Sequence, residues 1–158
     1  MRRGVDVLVV AGVWCLVGSW TGGLLLFGFV VAPTAFSALP SPDLAGKIIG
    51  PVLRSLNLYG MVAGPLLAVL AIRLRRGLHL VLLPLALGLA AFIAEFEVTT
   101  AIEAIRPLAF GPQPDPAALA RFGWLHRVAV TLFGAIGVGT LVLALLHAVA
   151  DVRDRRAP

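Results

Sequence analysis

Glu95, Glu97 and Glu103 lie in the stretch 94–106, which reads AEFEVTTAIEAIR and holds three of the chain's eight acidic residues. It closes a long apolar run, whereas the other apolar runs are almost free of acids. A carboxylate at the end of such a run can take a proton, hold a cation or pair with a base on another helix. On a helix, Glu95, Thr99, Glu103 and Arg106 share one face through i, i+4, i+8, i+11 spacing, and Glu97 points elsewhere. Later in the chain, His126 and Arg127 open a further apolar run, and Arg54, Asn57 and Tyr59 stand at the start of an earlier one. The candidate binding group is therefore Glu95, His126, Arg127, Tyr59, Thr99 and Asn57.

Two readings of these residues stay open. In one, Glu95 and His126 share a proton, bind a cation, or ligate a metal or haem iron in a polar pocket. In the other, Glu95 pairs with His126 or Arg127 and only ties two helices together. One His with one or two Glu has no recognisable metal-ligand spacing, so metal and cofactor are left unknown, with His126 and Glu95 as the candidate ligands. His79 and His147 fall near the other ends of their runs and read as interfacial. No Gly-rich phosphate loop, nucleophile elbow or His-Glu-x-x-His helix is present, and Ser37 and Ser55 have no base beside them in sequence. Enzymatic function stays uncertain, and no catalytic residue is assigned.

The elements that must place these residues are apolar helices. The chain of 158 residues is 59% hydrophobic and 13% charged, with a mean hydropathy of +0.98. Soluble domains carry about 25% charged residues, so the composition points to lipid as the solvent. The net charge of +5 comes from arginines lying between apolar runs, which argues for membrane topology and against nucleic acid. The single cysteine, Cys15, excludes an internal disulfide. The N-terminal apolar run reaches about residue 31, longer than a signal-peptide core, and reads as a retained span.

The expected fold is all-α: one integral membrane domain over 1–158, a four-helix bundle with spans at roughly 5–31, 54–73, 78–104 and 122–149. Ser41, Pro42 and Asp43 give cap, first-position and first-turn signals, so a short interfacial helix over 41–50 leads from the first span into the second. Asp115-Pro116 gives the same signal for the last helix. Small residues four apart predict close helix packing: Gly18 with Gly22, Ser19 with Gly23, Gly60 with Gly64, Ala86-Ala90-Ala94 and Thr131-Ala135-Gly139. Pro65 predicts a kink. Of Trp14, Trp20 and Trp124, only Trp124 is placed for a membrane interface. The partners expected are the lipid bilayer and, through the Gly and Ala ridges, a homo-oligomer.

Four spans put both termini on one side. That side gathers Arg2, Arg3, Arg73, Arg75, Arg76, Arg153, Arg155 and Arg156 against Asp6, Asp151 and Asp154. The other side gathers Lys47, Arg54, Arg106, Arg121 and Arg127 against an equal number of acids. The positive-inside rule then places both termini in the cytoplasm. Glu95, seventeen positions beyond Leu78, rises about 25 Å along its helix, so it falls just inside the far boundary of a layer roughly 30 Å thick.

Three short motifs carry a resemblance: GFVVAPTAF at 28–36, AGKIIG at 45–50 and RFGWLH at 121–126. The chain resembles the transmembrane protein 205-like family, a group also described as domain of unknown function 4149, over about residues 18–146. The resemblance implies a four-helix bundle, a bacterial inner-membrane member and a motif histidine at His126. The family pattern continues with a Gly and a small hydroxyl residue, where this chain has Arg127, Val128 and Ala129, so a role needing a hydroxyl below the histidine does not carry over. A looser likeness in layout is to four-helix membrane proteins of copper handling and haem biosynthesis.

Overall fold

The computed structural model describes residues 2–156, with side chains over 7–154. The charges at Arg2, Arg3, Asp6, Arg155 and Arg156 that entered the topology argument lie outside the described side chains. The described chain is entirely helical, and four of its rods are long and apolar enough to cross a membrane. The first rod, α1, runs Arg2–Leu26 and continues through a π-helical turn, Phe27–Val31, into Ala32–Ala38. Helix α2 is Pro42–Arg73. Helix α3 runs His79–Ile93, widens to a π-helix at Ala94–Thr99 and resumes as Thr100–Phe110. Helix α4 is Pro116–Arg156.

The connections are short, so neighbours in sequence are antiparallel neighbours in space. Each helix packs on the next and α4 packs back on α1, which makes a square up-and-down bundle with both termini at one end. The expected lead-in over 41–50 is helical and is the start of α2 itself. Ser41 caps it by accepting from the Leu44 N–H at 3.2 Å, and the helix runs unbroken through Pro51 and Pro65.

The core is one stripe from each rod. Val13, Val17, Trp20 and Leu24 on α1 meet Ala63, Leu67 and Ala71 on α2, Leu80, Leu87 and Ala91 on α3, and Ile136 and Leu143 on α4. The outer surface is as apolar as the core: Val7, Leu8, Phe29, Val62, Val138 and Leu145 all face outward. A helix apolar all round is at home only where its surroundings are apolar too.

Backbone contact is closest between α2 and α3. A Cβ on Gly64 would overlap the Pro84 carbonyl oxygen and stand 3.1 Å from the Gly88 Cα, and one on Gly60 would stand 2.7 Å from the Trp20 ring. The Gly60-Gly64 spacing thus does what was expected of it. The facing ridge on α3 is Pro84, Gly88 and Ala91, while Ala86 faces outward. On α4, Gly139 packs against Leu87, and Thr131 and Ala135 face outward. Gly18 and Gly22 meet nothing within 4 Å.

The α2–α3 connection closes helix α2 as a Schellman turn: the Arg76 N–H donates to the Ala71 carbonyl and the Arg75 N–H to the Ile72 carbonyl, both at 2.9 Å. The left-handed position of that motif, usually glycine, holds Arg75 at φ 53°. A side chain in that conformation costs about 1 kcal/mol relative to glycine. The turn directs the next residue, Arg76, back into the bundle, where its side chain is 3% exposed.

Candidate functional site

Glu95 is 6% exposed and sits in the first turn of the π-helical segment of α3. π-Turns form where one residue is inserted into an α-helix, which widens the ladder and leaves carbonyls in need of donors. Thr99 and Thr100 meet that need. Thr99 Oγ1 donates to the Ala94 carbonyl at 2.9 Å, and Thr100 Oγ1 reaches the Glu95 carbonyl at 3.5 Å. Both bonds span five residues, the π spacing. The threonines thus hold open the turn that carries the glutamate.

Both carboxylate oxygens of Glu95 look to α2. The Asn57 side-chain N–H₂ donates to Oε2 at 3.2 Å, and Arg54 Nε stands 3.4 Å from Oε1. Asn57 is buried, but the Arg54 side chain is 62% exposed. Glu95 is therefore a buried carboxylate held by one buried amide and approached by a cation from the surface. Its neighbours Asn57, Ala94 and Thr99, though not Glu95 itself, line a cavity of about 10 Å³ with Leu53, Ala129 and Phe133. That is close to the minimum for a single water molecule.

The structure brings together Glu95, Asn57 and Thr99 and adds Arg54. It does not bring in the others. His126 is exposed and lies parallel to the Phe122 ring, with centroids 6.2 Å apart. Arg127 is exposed and borders a surface hollow of about 280 Å³, shared with Trp124, Val128, Thr131 and Leu132. All five residues belong to α4, so the hollow is on that helix's outer surface and not between helices. The Tyr59 hydroxyl is paired with Ser19 Oγ on α1 at 2.6 Å. The pairing of Glu95 with His126 or Arg127 expected from depth alone is thus replaced by pairing with α2. Depth along the rods is readable from sequence, but rotation about each rod is set by packing.

Above Glu95, at the end of the bundle away from the termini, Arg106 joins three elements. It donates to Asp43 Oδ1 at 2.7 Å and to the Asp43 carbonyl at 3.2 Å, and lies over the Phe122 ring at 5.6 Å. Asp43 also pairs with Lys47 at 2.8 Å. Gly46 leaves room for this, since a Cβ there would stand 3.2 Å from the guanidinium. Glu95 and Arg106 both meet α2, while Glu103, expected on the same face, is exposed.

A second polar cluster, at the end with the termini, was not legible in the sequence. Arg76 Nη1 contacts His147 Nδ1, Arg76 Nη2 bonds Asp151 Oδ1, and Trp14 Nε1 donates to Asp151 Oδ2 at 2.7 Å. His147, expected at the interface, is fully buried. A guanidinium can only donate, so His147 Nδ1 accepts and its Nε2 carries the proton. That Nε2 and Arg76 Nε are buried without partners. The sequence signal was the i, i+4 pair His147 and Asp151 on the stripe of Thr140 and Leu143. Among the described residues, no three His, Cys, Asp or Glu side chains converge as a metal site.

Four antiparallel rods, each long and apolar enough to cross a membrane, define a helical multi-pass membrane protein. Within that class, a family model described as "Domain of unknown function (DUF4149)" matches residues 15–109. The match covers more than half of the chain, which belongs to this family. It spans α1 to α3 and so contains Glu95, Asn57, Arg54 and Arg76, but not His126, His147 or Asp151. No curated protein and no solved structure matches the chain.

Proposed function

We propose that the chain is an accessory of membrane transport that binds a proton or a small monovalent cation at Glu95. The observation that carries this reading is a buried carboxylate on a π-helical turn, beside a space of one water, with one oxygen met only by an exposed arginine. Arg54 is then a built-in cation that an external one displaces. The size of the space argues against a larger molecule in the pocket. Thr99 and Asn57 shape this layer.

The test compares wild type with Glu95→Gln in detergent. Thermal stability of the wild type is expected to change with pH and with sodium or potassium at constant ionic strength, and the Gln variant to lose that response. An identical response in both proteins overturns the ion reading. A second reading, in which Glu95 clamps α3 to α2, is favoured by the fact that both its oxygens face α2. It expects Glu95→Gln to lower stability equally in every salt, by about 1.5–3 kcal/mol for a hydrogen bond to a charged group.

We further propose that the chain is a bacterial inner-membrane member of the transmembrane protein 205-like group with both termini cytoplasmic. Exposed Arg73, Arg75 and Arg153 at the end with the termini support that orientation. A C-terminal phosphatase fusion, active only outside the cytoplasm, is expected to be silent and a C-terminal fluorescent protein bright; the reverse pattern overturns the orientation. The open Gly18-Gly22 face is where a second copy would pack.

A further inference from the structure

The α2–α3 turn pairs two features that folding alone does not require together. It places Arg75 in a left-handed conformation that glycine adopts without strain, and it leaves that side chain exposed. Arg73, two residues back at the end of α2, is exposed as well. The Arg76–Asp151 pair fixes this turn against α4; Arg153, two residues beyond Asp151, is on the opposite face of that helix, and Asp154 is exposed beside it. Asp151 is already taken by Arg76 and Trp14, so it neutralises neither Arg73 nor Arg75. Beneath them, the buried atoms left unpartnered, Arg76 Nε and His147 Nε2, are both donors.

We infer that Arg73 and Arg75 form a binding surface for the phosphate headgroup of an anionic lipid. A lipid is the occupant the placement favours. The arginines sit where four apolar rods leave the bilayer, at headgroup level, and planar guanidinium groups match phosphate oxygens in pairs. Arg75 is held in its strained position because its guanidinium serves this contact and a glycine would not.

The experiment uses the full chain in a neutral detergent, with thermal unfolding followed as phosphatidylglycerol or phosphatidylcholine is added. Phosphatidylglycerol is expected to raise the melting temperature more than phosphatidylcholine, and 0.5 M salt to shrink the difference. Arg75→Gly is expected to melt no lower than wild type without lipid, because the turn relaxes. Its apparent affinity for phosphatidylglycerol is expected to fall about fivefold, the equivalent of roughly 1 kcal/mol for one basic side chain at an anionic surface. Arg75→Lys should retain most of the affinity. Equal stabilisation by the two lipids, or full retention of the phosphatidylglycerol response in Arg75→Gly, overturns the proposal. So does an equal response to millimolar inorganic phosphate, which assigns the surface to a free anion.

Discussion

Replacing Arg76 with methionine is expected to destabilise the bundle by about 3–5 kcal/mol, the usual loss when one partner of a buried ion pair is removed. The guanidinium is 3% exposed and supplies donors to both His147 and Asp151. Without it, the Asp151 carboxylate keeps only Trp14, and His147 Nδ1 loses its donor. The structure also makes a second, sharper expectation. Arg76→Met combined with Asp151→Leu removes the pair as a unit, and apolar replacement of a whole buried pair is often close to neutral. The double variant should therefore recover most of the loss. The measurement is unfolding in detergent, read by tryptophan fluorescence, in which Trp14 itself reports on Asp151. A loss below about 1 kcal/mol for the single variant is the behaviour of an exposed pair and contradicts the buried cluster.

Gly64→Ala should be nearly as damaging, with a loss of about 3 kcal/mol at the upper end of overpacking effects. The added Cβ meets the Pro84 carbonyl oxygen and the Gly88 Cα, which are backbone and cannot rotate away. Helices α2 and α3 must separate, and Glu95 moves with α3 away from Asn57 and Arg54. The control is Gly134→Ala on α4, where nothing lies within 4 Å. There the same methyl should be neutral or slightly stabilising, since alanine is the better helix former by about 1 kcal/mol. Equal melting temperatures for the two variants would mean that α2 and α3 are not in backbone contact.

These sites show how far the sequence reaches. The four apolar rods were readable from it, because hydrophobic run length is a property of one segment at a time. Ser41 as a cap and Gly60-Gly64 as a contact were readable for the same reason. The partner of Glu95 was not. At its depth the chain offers His126, Arg127, Arg54 and Asn57, and all satisfy the same rise arithmetic. Choosing among them needs the rotation of each rod about its axis.

Periodicity usually fixes that rotation by setting an apolar face against a polar one. Here both faces are apolar, so Val62 and Ala63 look alike in sequence although one faces outward and the other is buried. The π-turn at Ala94–Thr99 adds a further shift of face that no spacing rule anticipates. For the same reason His147 read as interfacial, and Ala86 and Thr131 read as packing residues. The sequence by itself determined an all-helical fold with four apolar rods long enough to span a membrane, and the family. Only the tertiary structure decided which polar groups meet: Glu95 with Asn57 and Arg54, and Arg76 with His147 and Asp151. Those meetings depend on close approach between rods at Gly60, Gly64 and Gly88, which is a property of helix pairs and not of any one helix.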